Sequence, residues 1–209
     1  MHEMTPAMIV PNIEALTSEQ IALIGMPFDD YSSHLKGPAQ APALIRQMMK
    51  CESANAWSEL GDDLGNSDRI LDLGDLSWQN SVDAFRILES TIRAVASTGA
   101  KPLTFGGDHS ITYPILKGLF DSYPDLTILH FDAHPDLYDE LGGNRLSHAC
   151  PFARIMENKL ATRLIQVGVR TLNDHQREQA SKFDVEIHEM KDWKGPDQLS
   201  LSGPISRLT

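Results

Sequence analysis

Asp132, His134 and Asp136 occupy alternate positions just past the apolar run LTILHF (126–131), within the stretch ILHFDAHPDLYD (128–139). Carboxylate oxygen with imidazole nitrogen, and no thiolate, is a donor set for Mn²⁺, Fe²⁺, Ni²⁺ or Zn²⁺, and hardness and availability favour Mn²⁺. Alternate side chains of an extended chain share a direction, so an extended exit from a strand would aim all three at one point. A solvated polar loop could have the same composition, and the triplet alone leaves the two readings even. His109 adds a fourth donor. It ends the apolar run and glycine turn of KPLTFGGDHS (101–110), and two such strand ends carrying ligands favour a metal. Asp108 is read as positioning the turn that presents His109. His130 shares the parity of Asp132 and His134 and could point at the site, although a packed core histidine is the preferred reading.

These residues need a scaffold that brings strand ends together. Short Ile-, Leu- and Val-rich runs recur along the chain: IALIGMPF (21–28), RILDLGDL (69–76), KPLTFG (101–106), LTILHF (126–131), RLIQVGVR (163–170) and VEIHEM (185–190). Between them lie helical patterns near APALIRQMMK, SVDAFRILESTIRAVASTG, ITYPILKGLF, CPFARIMENK and DHQREQASKF. In the second of these, Phe85, Leu88, Ile92 and Val95 recur at helical spacing and Gly99 stands where a stop belongs. Strands apolar on both faces that alternate with helices predict βαβ units and a parallel sheet. In such sheets sites lie beyond the carboxyl ends of the strands, which is where both polar clusters stand.

The composition narrows the class. At 209 residues and 41% hydrophobic, the chain suits one domain spanning 1–209. Its net charge of −11 keeps it soluble and attracts cations, and it argues against a nucleic-acid partner. Cys51 and Cys150 form no C-x-x-C pair, so neither a disulfide framework nor a thiolate zinc cage is expected. Cys150 is read as packing. No stretch approaches about 18 consecutive apolar residues, so no membrane span is expected. The start MHEMTPAMIV (1–10) lacks signal-peptide character and is not Arg-rich like a transit peptide, which with the cysteines leads to a cytoplasmic expectation. His34, His175 and His188 lack metal spacing, and Asp139 is expected to make a loop hydrogen bond.

GGDHS (106–110), FDAHPDLYD (131–139), SHACPFARIME (147–157) and LIQVGVR (164–170) together resemble the arginase/agmatinase family, the ureohydrolases. LIGMPFD, KGPAQAPALIR and LDLGD are similar to that family's first strand, following loop and second strand, so the likeness runs from 21 to about 190. It implies an α/β fold, three-layer α/β/α with a mainly parallel sheet, and a pair of Mn²⁺ ions (Ni²⁺ or Fe²⁺ as alternatives) that serve hydrolysis of a guanidino group to urea and an amine. A guanidinium carbon is a poor electrophile, and divalent ions bring the pKa of water down toward neutrality. By position, the resemblance implies His109 and Asp136 as ligands of one metal, His134 as ligand of the other and Asp132 as the bridging carboxylate. His148 matches a family histidine that shuttles a proton or acts as base, and imidazole titrates near neutral pH. The bland alternative for His148 is a polar residue at a helix start behind an N-cap Ser147. The implied partners are a small cationic guanidino substrate and, in the complete protein, further copies of itself. HACPF resembles the agmatinase form of this loop, which makes agmatine the first choice. Arginine, guanidinobutyrate and guanidine stay open, because some plant and bacterial arginases have a similar segment.

The chain departs from the family at one place. Members carry two further metal-ligand aspartates in a motif like S-x-D-x-D-x-x-D-P, and here LSLSGPI is followed by SRLT. Four of six protein ligands are then expected, with weak metal binding, poor hydrolysis and a truncated or frame-shifted gene as origin. In the family sheet the corresponding strands lie between those at 101–106 and 126–131. Their loss predicts an incomplete sheet, two halves with open edges that invite association. A non-catalytic metal-binding or interaction fragment is the competing function. A zinc deacetylase is a weaker one, since GGDHS supplies a histidine that a mononuclear site does not need.

Overall fold

The computed structural model describes residues 13–194, and both MHEMTPAMIV and LSLSGPI lie outside them. The chain divides into two compact units between Ser122 and Tyr123.

The first unit holds the strands β1 (Ile21–Met26), β2 (Ile70–Asp75) and β3 (Lys101–Gly106) and the helices α1 (Ala41–Met49), α2 (Ser81–Ser97) and α3 (Thr112–Leu119). Its sheet runs in the order β2-β1-β3 with both pairings parallel. β1 is apolar on both faces and buried from Ala22 to Met26, as its central place demands. α2 starts where the Asn80 side chain accepts the Asp83 N–H at 3.1 Å, satisfying one of the orphan donors of the first turn. It buries Ala84, Leu88, Ile92 and Val95, one side chain per turn, of which the three larger are worth roughly 1.5–3 kcal/mol each in transfer free energy. Phe28, just past β1, packs its ring 5.4 Å from Phe85 and 5.1 Å from Tyr31. α1 is tied to β2 by Arg46, whose Nε donates to Asp72 Oδ2 at 2.8 Å and whose Nη2 donates to the Gly74 carbonyl at 3.1 Å.

The second unit holds β4 (Thr127–Phe131), α4 (Pro151–Glu157), β5 (Arg163–Val169), α5 (Asp174–Lys182) and β6 (Glu186–Glu189). Its sheet runs β4-β5-β6, again parallel throughout. β5 is the buried central strand, with Leu164, Ile165 and Gln166 sealed from solvent. α5 opens on a capping box between Asn173 and Gln176, which satisfies two orphan donors reciprocally.

The two expected half-sheets are therefore present, one ending on β3 and the other on β4. β3 and β4 are edge strands of their sheets, as the expected open edges require, and Leu103 on β3 and Leu129 and Phe131 on β4 are exposed, because an outer strand has cover on fewer sides than a central one. Among the described residues no helix is long and apolar enough to cross a membrane.

Candidate metal centre

His109 opens a 3-10 turn, His109–Ile111, directly after β3. The turn is held by Asp108, which is buried. One of its oxygens accepts the Ser110 N–H at 3.0 Å and the Ser110 hydroxyl. The other accepts the Tyr31 N–H at 3.1 Å and the Ser32 hydroxyl at 3.2 Å, from the loop that leaves β1. The Asp108 N–H in turn donates to the Phe28 carbonyl at 2.8 Å. Gly107 permits this approach, since a Cβ there would sit 1.9 Å from the Phe28 carbonyl oxygen. Asp108 thus positions the His109 turn, as expected, and it does so by clamping two strand exits to each other. In the same exit loop the Gly37 N–H, donated to Asp29 at 2.7 Å, holds the Asp29 carboxyl below its ordinary range.

Asp132, His134 and Asp136 lie in the second unit, past β4. The β4–β5 ladder continues into this loop, with Asp132 N–H donating to the Val167 carbonyl at 3.1 Å and Arg170 N–H to the Ala133 carbonyl at 2.9 Å. Gly168, at φ 93°, lets β5 pass close to the loop; a Cβ there would stand 3.3 Å from the Asp132 carbonyl oxygen. The path is not the extended one that the i, i+2, i+4 spacing suggests. Asp132 Oδ1 accepts the His134 N–H at 2.9 Å, an Asx turn that bends the chain, and Asp136 is left-handed at φ 46°. The turn still brings two of the three together, with His134 Nδ1 3.2 Å from Asp132 Oδ1. His134 is exposed, Asp132 half-buried and Asp136 buried.

His148 sits in the turn before α4, with its Nδ1 3.3 Å from Ser147 Oγ. The helix begins only at Pro151, and its N-cap is Cys150. Ser147 is therefore no cap and His148 is no helix residue, because Pro151 supplies the fixed φ that a first turn favours. Tyr138 N–H donates to the Ala149 carbonyl at 3.1 Å and Phe152 N–H to the Asp136 carbonyl at 3.3 Å, so the loops of Asp136 and His148 run side by side. Burial pushes the Cys150 thiol up to about 11, which keeps it neutral and in the packing role expected of it. Asp139 makes the expected loop contacts: Arg154 Nη2 donates to it at 2.7 Å and holds its carboxyl below the ordinary range.

These side chains offer carboxylate oxygens and imidazole nitrogens on turn-fixed backbone, a donor set that suits a divalent cation such as Mn²⁺, Fe²⁺, Ni²⁺ or Zn²⁺. One participant was overlooked in the sequence. Gln166 lies mid-strand in β5 with its side-chain nitrogen 2.7 Å from the Pro135 carbonyl and 3.1 Å from His130 Nδ1. An amide among apolar residues in RLIQVGV was the signal. His130 is indeed packed, its ring centroid 4.2 Å from that of Phe152, and its Nε2 also faces Asp132 Oδ2 at 3.5 Å.

Comparison with known proteins gives this geometry a setting. The family model described as "Arginase family" matches residues 19–199. The arginase of Glycine max is 43% identical over 178 residues, covering 81% of this chain and 51% of its own. "Arginase 2, chloroplastic/mitochondrial" of Arabidopsis thaliana is 41% identical over 187 residues, 85% of this chain and 54% of its own. The mitochondrial agmatinase of Gallus gallus reaches 32% over 156 residues, 71% and 45% of the two chains. Among solved structures, the arginase from Medicago truncatula superposes with a TM-score of 0.78 at 36% identity, covering 86% of this chain and 60% of that one. The chain spans about half the length of the curated relatives it matches. The α/β class with parallel, arginase-like sheets is the one expected. The cytoplasmic expectation is overturned by the organellar names of several of these arginases. Reduced cysteines suit any reducing compartment, so cysteine usage could not separate an organelle interior from the cytosol.

Proposed function

The chain belongs to the arginase family, and on that premise we propose that its chemistry is metal-dependent hydrolysis of a guanidino group to urea and an amine, with arginine ahead of agmatine as substrate. We assign His109, Asp132, His134 and Asp136 as ligands of a manganese pair and His148 as the proton-transfer residue, within one ureohydrolase domain over 1–209. The observation that carries the substrate choice is the gap between 43% identity to an arginase and 32% to an agmatinase. The short HACPF loop favours agmatine, and similarity spread over 178 residues outweighs it.

Bound divalent ions would supply water made acidic enough to act as a nucleophile near neutral pH. The chain's own residues do the rest. Asp132 is presented with its plane fixed by the His134 N–H, and Asp136 is presented by a left-handed backbone that only a few residue types adopt readily. His148 delivers a proton to the departing amine nitrogen, which without it would be a poor leaving group. The net charge of −11 favours approach of a cationic guanidinium.

Urea release by the 209-residue chain with added Mn²⁺, from arginine, agmatine, guanidinobutyrate and guanidine in parallel, tests the reading. Arginine is expected to give the highest rate. Faster release from agmatine overturns the substrate choice, and equal inactivity on all four overturns the catalytic reading in favour of a metal-binding or interaction protein. One observation favours that second reading: Phe131 on β4 is 67% exposed at a sheet edge, an invitation to strand pairing with another copy. Light scattering of a Phe131→Lys variant tests it, and a mass unchanged from that of the wild type counts against association through this edge.

A further inference from the structure

We propose that His130 is a positioning residue for the Asp132 carboxylate, locked by Gln166 as the tautomer that carries its proton on Nε2. Its consequence for metal binding rests on the reading of Asp132 as a ligand; the tautomer itself does not.

His130 and Gln166 stand opposite each other in the parallel register of β4 and β5, and both are buried. The Gln166 side-chain nitrogen lies 2.7 Å from the Pro135 carbonyl oxygen. That carbonyl can only accept, so it determines which end of the amide faces it. The same nitrogen lies 3.1 Å from His130 Nδ1. An NH₂ group has two hydrogens, and with one on Pro135 the other is directed at Nδ1. Nδ1 is then the acceptor, and a neutral imidazole whose Nδ1 accepts carries its hydrogen on Nε2. Nε2 faces Asp132 Oδ2 at 3.5 Å, a contact that orients by electrostatics rather than by a short hydrogen bond. The other carboxylate oxygen, Oδ1, already accepts the His134 N–H at 2.9 Å. One Asp132 oxygen thus accepts a hydrogen bond and the other faces the His130 Nε2, and the Phe152 ring packed on His130 opposes rotation of the imidazole.

Two consequences follow from the chemistry. His130 cannot donate an Nε2 lone pair to a metal in this tautomer, so it is not a ligand despite its place beside one. Its part is that of the outer partners which fix ligating carboxylates, and loss of such a partner typically weakens metal binding 10- to 100-fold. Gln166 also carries a cost that a leucine would not, since its Oε1 is buried with no hydrogen-bond partner among the described residues. What the amide does through its nitrogen accounts for its presence in an apolar strand.

Long-range ¹H–¹⁵N spectra of the metal-free 209-residue chain read the tautomer directly, with the His130 ring assigned by its loss in His130→Gln. The expected pattern is a protonated Nε2 and a bare Nδ1. In Gln166→Glu the carboxylate accepts instead of donating, and the proton is expected on Nδ1; Gln166→Leu, which packs without polar groups, is expected to give a mixture. Protonated Nδ1 in the wild type, or the same pattern in all three proteins, overturns the lock. Mn²⁺ titration by calorimetry reads the consequence. His130→Asn is expected to bind at least about 10-fold more weakly, and His130→Gln, whose side-chain nitrogen reaches the Nε2 position, to recover most of the loss. Wild-type affinity in His130→Asn overturns the positioning role. Wild-type affinity in Asp132→Asn overturns instead the ligand reading beneath it, an outcome the tautomer spectra do not depend on.

Discussion

The Asp108 carboxylate accepts the backbone N–H of Tyr31 at 3.1 Å, joining the turn after β3 to the loop after β1 across 77 positions of sequence. The same carboxylate caps the His109 turn through Ser110, so one side chain both bonds two strand exits together and presents a proposed ligand. Asp108→Ala removes the cap and the carboxylate that accepts the Tyr31 N–H. The expected loss is about 2–4 kcal/mol of unfolding free energy, from hydrogen bonds to a charged group plus a lost cap. Asp108→Asn, which keeps one accepting oxygen, should lose less. Urea denaturation measures both, and a change under about 0.5 kcal/mol, the ordinary surface range, in Asp108→Ala would show that the clamp does not bear on stability.

The neighbouring glycines separate two kinds of crowding. At Gly107 an added Cβ meets the Phe28 carbonyl at 1.9 Å, which is backbone, whereas at Gly106 it meets the tip of the Ile111 side chain at 2.4 Å. Backbone cannot swing aside and Ile111 Cδ1 can. Gly107→Ala should therefore cost about 3 kcal/mol or more and Gly106→Ala clearly less. Thermal denaturation of the pair tests the order, and equal melting temperatures contradict it.

Most of the scaffold was legible because local signals and tertiary demand agree. α2 ends at Ser97, two residues before Gly99, and Pro114 lies within the first turn of α3, where its missing N–H does no harm. The loop 132–136 was not legible in the same way. Its alternation suggests an extended path, but Asp132 bonds the backbone two residues on, and a residue tolerant of positive φ stands at 136. Side-chain-to-backbone bonds of this kind compete with strand geometry and leave the spacing unchanged. Gln166 was missed for a different reason: its importance lies in what β4 places opposite it, and strand register is a tertiary property. Donor type and strand-end spacing single out Asp132, His134, Asp136 and His109 as candidate ligands, whereas their division between two metals and the proton-shuttle role of His148 come from motif resemblance.

Cys150 and Cys51 should differ sharply in reactivity. Burial pushes the Cys150 thiol up to about 11, while a hydrogen bond with Ser53 lowers that of Cys51. At pH 8 Cys150 is then thiolate in only about one molecule in a thousand, and iodoacetamide should label it on the order of 100-fold more slowly than Cys51. Peptide mapping by mass spectrometry follows both sites, and comparable rates would contradict the burial. The same shift has a stability consequence. A thiol raised from its ordinary 9.0 favours the folded state fully below about pH 9, and that contribution is lost as pH rises through 11. Cys150→Ala should accordingly flatten the alkaline limb of the stability profile.

Asp136 combines a proposed ligand with a left-handed backbone at φ 46°. Asp136→Ala and Asp136→Gly both delete the carboxylate and whatever it contacts, so the difference between them isolates the backbone. A Cβ in this region costs about 1 kcal/mol or somewhat more that glycine does not incur. The metal-free Gly variant should therefore unfold at higher urea than the Ala variant, by about 1 kcal/mol. Mn²⁺ affinity should fall in both by the same factor, because each lacks the same oxygen donors. Urea titration and calorimetry read these two effects separately. Equal stability of the two variants would contradict the left-handed geometry, and undiminished Mn²⁺ binding in both would remove Asp136 from the ligand set.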